Sequence, residues 1–303
     1  MNFNLASIEN LLPLLLMFGV LVAMLAGLQR KLEAIRSQTT DIYPPKMFLR
    51  SPGESTLNRI DRATSELLTF GIAVAVVPLI LLLTYLAYVY IARRPQGGLE
   101  IAYLICLSVG FLLYGGNKLR RLSLKKKRLR KIYAGLQSVA LEINTLLLAG
   151  HHVYHDFPSG RFYIDHIIVG PTGVFTLQSR IPSGFLRTPA PHDRRVRVVG
   201  NELITDKTTD TRTIPNTVLH ASWLANWLLT DTGEAVRVQP LLTLPGWAVE
   251  TIDDHAVIGV DPARIGSVIR TTCVHPLSAE SIHRLCTALE TKYRRERAEK
   301  HRP

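Results

Sequence analysis

Cysteine is scarce. Three are spread through 303 residues: Cys106 sits in an apolar run, and Cys273 and Cys286 lack the close spacing of metal ligands. That excludes a disulfide framework or a zinc knuckle and suits a reducing compartment. Acidic, Lys and Arg side chains are missing from the middle of the long apolar runs. Pumps and transporters need such groups for ions and protons, so a transport function is excluded on this ground. A basic excess is also missing from most of the chain. The net charge is +12, yet nine Lys and Arg with no acidic neighbour crowd into residues 118–131, and residues 132–303 are nearly balanced. That balance argues against tight duplex binding by the body of the protein alone.

What is abundant lies early. Three apolar runs occupy about 11–28, 67–91 and 99–116. A helix rises 1.5 Å per residue, so about 20 apolar residues cross a hydrocarbon core of about 30 Å. Residues 1–117 are therefore predicted to form an α-helical transmembrane module of about three spans. The first run has no basic residue before it and no small-x-small cleavage site, so it is expected to be a retained anchor and not a signal peptide. Pro78 should kink the second span. Basic residues favour the cytoplasmic side of a span. The stretch Lys118, Arg120, Arg121, Lys125, Lys126, Lys127, Arg128, Arg130 and Lys131 follows the third run at once. Its position predicts an N-terminus outside, a cytoplasmic loop between the first two spans and a cytoplasmic C-terminal domain, in a bacterial-type inner membrane. The spacing of Leu119, Leu122, Leu129 and Ile132 suits a helix continuing out of the membrane. Over 118–132 this segment is expected to grip anionic lipid headgroups, at about 1 kcal/mol per basic residue; nucleic-acid phosphates are the alternative partner.

Residues 133–277 carry the pattern of a soluble α/β (α+β) domain with a central mixed sheet. Leu136, Val139, Ile143, Leu146 and Leu147 mark an amphipathic helix that Gly150 closes. Runs 151–157, 162–169 and 174–180, joined by Pro158-Ser-Gly160 and Gly170-Pro-Thr-Gly173, predict an antiparallel meander. A hairpin follows over 195–205, then a helix over 215–229 and strands over 236–244 and 255–260. Residues 278–303 form a last helix, capped by Ser278, with a basic tail.

The run Val153-Tyr-His-Asp-Phe-Pro and the segment Tyr163-Ile-Asp165-His-Ile-Ile-Val-Gly-Pro171-Thr-Gly-Val-Phe-Thr-Leu-Gln178-Ser-Arg180 resemble the nuclease-related domain (NERD) family. Residues 236–250, through Trp247, resemble its membrane-linked members. The likeness covers about 140–250 and implies a PD-(D/E)XK, restriction-endonuclease-like fold. Such a nuclease would hold Mg²⁺ with carboxylates, the cation polarising the phosphate and activating a water. The family pattern places an Asp on one strand and Glu-x-Lys on the next, where positions i and i+2 share a face.

Carried across, Asp165 matches the family Asp and Glu142 the preceding helix Glu. Gln178 and Arg180 stand in place of Glu and Lys. A neutral amide is a weak ligand for a hard cation, and Arg keeps its proton where Lys can lose one. The resemblance thus implies the fold with its catalysis lost, no cofactor, and a binding or regulatory module for nucleic acid or protein. Two alternatives stand beside it. One is an Mg²⁺-dependent DNA nuclease with a rearranged site, in which Asp165 remains and Asp156, Glu202 or Glu142 supplies a carboxylate. The other is a structural membrane protein that assembles with other proteins. An Asp165–Arg180 pair across adjacent strands would need no metal. His151, His152, His155 and His166 are expected to be ordinary polar histidines, and Trp223 and Trp227 a core-facing pair. The Leu244-Pro-Gly-Trp247 turn is either a binding loop or a turn plugged by its indole.

Overall fold

The computed structural model describes residues 50–92, 98–181, 195–205, 209–251 and 256–300. The first apolar run lies outside them. The chain divides into two compact units, one of residues 1–45 and 60–127, the other of 46–59 and 128–303.

In the first unit run the greater parts of helix α1, Glu54–Ala92, and of helix α2, Gly98–Asn144. Both are long and apolar enough to cross a membrane, over Glu54–Ala87 and Ile101–Ala149. Their Leu side chains face outward: Leu82 is 54% and Leu113 71% exposed, so among the described residues nothing covers these faces fully. The helices touch at small residues. A Cβ on Gly115 would lie 2.4 Å from Val74, and Tyr114 meets Phe70 edge-on. Lys118 sits over the Phe70 ring at 3.9 Å. The second and third apolar runs are thus both helical. The third run, the basic stretch and the first helix expected for the soluble domain are one uninterrupted helix of 47 residues. Its end is a 3₁₀ turn, Thr145–Ala149, closed by Gly150 at φ +77°, the left-handed conformation glycine adopts without a steric penalty.

The second unit is an α/β domain. Its main sheet has five strands in the order β1-β2-β3-β7-β9: His152–Pro158, Tyr163–Gly170, Gly173–Ser179, Val238–Thr243 and Ile258–Gly259. The first three form the expected antiparallel meander, whereas β7 and β9 join in parallel, so the sheet is mixed. A second sheet, not foreseen, has the order β6-β5-β4-β8: Thr209–Asp210, Glu202–Ile204, Arg195–Val199 and Ala248–Thr251. Helix α3, Thr213–Thr232, and helix α5, Ala279–Lys300, cover one face of the main sheet, where Leu224, Leu228, Leu285 and Leu289 pack on Phe157, Ile167 and Val174. The end of α2 and the short helix α4, Ile265–Thr271, cover the other through Ile143, Ile269, Phe175 and Leu177. Strand β3 is buried along its whole length. Its side chains alternate between the two cores, as period 2 requires. Ser278 caps α5, its Oγ accepting the Ser281 amide at 3.1 Å.

The β2–β3 turn explains its own glycines. A Cβ on Gly170 would fall 2.1 Å from the His151 ring. Gly173 adopts φ +132°, and its turn is held by Val274, whose amide donates to the Thr172 carbonyl at 2.9 Å.

Candidate active site

Strands β2 and β3 bring Asp165, Gln178 and Arg180 to one end of the main sheet, beneath the first turns of α3. Asp165 Oδ2 accepts the Ser179 amide at 2.8 Å. Burial pushes its carboxyl up to about 6, against the pull of the Arg180 cation and that amide. The Asp165–Arg180 ion pair is absent among the described residues. Arg180 instead turns a guanidinium nitrogen to Gln178 Oε1 at 3.5 Å, as two residues on one strand face can, and its Nε is buried without a partner.

Gln178 is 1% exposed. Its Oε1 accepts the Thr217 hydroxyl at 3.1 Å, and its Nε2 donates to His220 Nδ1. Both partners come from α3, three residues apart and hence on one helix face. The His220 ring lies flat on Phe162, with centroids 4.0 Å apart. Burial, then the Arg180 charge, lowers its pKa to about 4, so the ring is neutral at pH 7 and can accept the amide proton.

Sequence reasoning missed Thr217 and His220. The signal was there: both sit on the buried face of α3, among Ile214, Ala221, Leu224 and Leu228. A polar pair in an apolar stripe needs partners.

The other positions named from the sequence lie elsewhere. Glu142 is exposed on α2, and no hydrogen bond joins its carboxylate to the strand residues. Glu202 is exposed on β5, in the second sheet. Asp156 is buried but engaged. It accepts the Ser55 amide at 2.9 Å and the Ser55 hydroxyl, and pairs with Arg50 at 3.2 Å. It is also the one non-glycine residue with positive φ, +52°, among the described residues. Of the basic stretch, Lys126 is half-buried and the other eight side chains are exposed.

The remaining clusters are structural. His155 and His166 hydrogen-bond through their Nδ1 atoms at 2.8 Å; burial lowers the His155 pKa to about 4, and burial, then the His155 charge, holds that of His166 well below its ordinary value. No group of three or more potential metal ligands occurs among the described residues. Trp223 and Trp227 stack on one another and pack beside Phe157, as a core-facing pair should. The Leu244–Trp247 turn closes on a 3.0 Å backbone hydrogen bond, with the indole packed on the core beneath the second sheet. A cleft of about 150 Å³ between α3 and α5, lined by Trp227, Lys292 and Glu296, shares no residue with the Gln178 group.

The donor set at β2–β3 is thus one carboxylate, one amide already hydrogen-bonded at both ends, and a permanent cation. A hard divalent cation needs several free oxygen ligands, and this group offers one carboxylate, so these residues do not fit Mg²⁺. No curated protein and no solved structure matches the chain. Residues 131–245 match the family model described as the nuclease-related domain. They contain β1, β2, β3 and α3, and with them every member of the polar group just described, so that it is this segment of the chain that is similar to the nuclease-related domain.

Proposed function

We propose that this protein is a membrane-anchored nuclease-related domain that binds instead of cutting, a regulatory or docking module on the cytoplasmic face. The observation that carries this reading is the Gln178 amide, closed between Thr217 and His220 with Arg180 beside it. A carboxylate there could take a cation. An amide spent on two protein partners cannot, and Arg cannot give up a proton at any working pH.

The test is a cleavage assay. Full-length protein in detergent micelles should leave plasmid and single-stranded DNA intact with Mg²⁺ or Mn²⁺, and Gln178→Glu alone should not change that. Robust cleavage by the unmodified chain, lost in Asp165→Ala, would establish the alternative of a nuclease with a rearranged site.

Anchoring is supported by the two long apolar helices and by the cations, nearly all exposed, that follow the third apolar run. On this reading the basic stretch both sets the orientation and holds anionic headgroups. A cytoplasm-only reporter fused after Pro303 should be active. Changing all nine basic residues of 118–131 to Gln should divert at least about half of the molecules to the opposite orientation, because those charges set the bias. An unchanged reporter ratio would show that the orientation is fixed by something else.

A further inference from the structure

The catalytically silent reading above rests on two strand positions, Gln178 and Arg180. The geometry adds a third element from outside the strands. Thr217 and His220 reach Gln178 from α3, a helix that begins more than thirty residues later in the chain. His220 is itself fixed: it is 7% exposed, and Phe162 stacks on its ring with an interplanar angle of 1°. Thr217 is fully buried, and its single hydroxyl proton is shared between Gln178 Oε1 and the Thr213 carbonyl, which lies at 2.8 Å. An amide held by a donor on one side and an acceptor on the other has one satisfied orientation. A carboxylate in the same place would find the hydroxyl donor and would be held by the imidazole once its proton moved to Nδ1, so residue 178 stays engaged by α3 in either case.

We propose that His220 is the positioning residue that locks this site: its ring holds the Gln178 amide in the space a cation and its ligands would need, so that restoring Glu and Lys to the strand does not by itself reopen a metal site. The lock is built from the helix side and the substitutions from the strand side. His220 therefore touches no substrate; it acts through Gln178. This deepens the proposed reading and depends on it.

Two measurements on the full chain in detergent micelles test the lock. The first is a thermal double-mutant cycle with Gln178→Ala, His220→Ala and the two combined, repeated with His220→Asn, which keeps a hydrogen-bonding group. If the pair is specific, the combined variant melts no lower than the worse single variant, and His220→Asn retains part of the wild-type midpoint. Additive losses, as for independent sites, would overturn the lock. The second is a Mn²⁺ titration of Gln178→Glu/Arg180→Lys with and without His220→Ala. The triple variant should bind at least about tenfold more tightly than the double. Equal affinity, or no binding by either, overturns the proposal. Asp165-dependent DNA cleavage by the unmodified chain would instead sink the functional reading itself, whatever the cycle gives.

Discussion

Replacing Asp156 by Ala lowers the unfolding midpoint of the full chain by about 10 °C. The carboxylate is 3% exposed and carries three jobs at once. It pairs with Arg50, caps the start of α1 through the Ser55 amide, and accepts the Ser55 hydroxyl. Breaking a buried pair from one side costs about 3–5 kcal/mol, because the partner is left buried and uncompensated. For a domain of this size each kcal/mol moves the midpoint by about 2–4 °C. Arg50 would be stranded, since its guanidinium is 11% exposed and also covers the Tyr163 ring at 4.9 Å. Removing both charges with Asp156→Ala/Arg50→Met should recover part of the loss. Differential scanning calorimetry is the measurement, and an Asp156→Ala midpoint within about 2 °C of wild type would show that the clamp is dispensable.

Asp165→Asn is expected to act in the opposite direction, and only at neutral pH. Burial raises the Asp165 carboxyl from 3.8 to about 6. A raised folded-state pKa stabilises the protein fully below the ordinary value, and this contribution is lost as the pH climbs through the folded value. Above about pH 6 the wild type therefore holds an ionised group the fold would prefer neutral, at a cost of about 3 kcal/mol. Asn keeps an acceptor for the Ser179 amide and removes the charge. The variant should melt several degrees above wild type at pH 7 and level with it at pH 4. A gain of equal size at both pH values, or none at pH 7, would contradict the electrostatic origin.

Part of this was legible in the residues alone. The β2–β3 segment could be read because two short apolar runs flank a tight turn that needs its glycines. The long apolar runs and the last helix have periods that few other structures share. The site was half legible. Asp165, Gln178 and Arg180 fall within 16 residues on neighbouring strands, so their proximity follows from strand pairing. His220 comes from a helix whose packing depends on the whole core, and nothing local to it points at Gln178. The second sheet was hidden for the same reason: β4 and β8 pair in parallel across about fifty residues. Helix α4 has only seven residues, too few to show a period. The clamp on Asp156 links positions 101 and 106 apart, beyond any sequence pattern.

That clamp has a topological corollary. Residues 46–59 and 128–303 build one fold, so residues 60–127 are an insertion in it, and the two apolar helices leave the domain and come back to it. A chain that departs from one side of a bilayer and returns to the same fold must pass through an even number of times. If α1 crosses, α2 crosses back. The same corollary governs fragments. A piece cut at residue 131, where the family match begins, would leave Arg50 and Ser55 behind and expose Asp156 without its partners. A protease that severs the chain anywhere within the hairpin would leave two pieces still holding one another through that buried carboxylate.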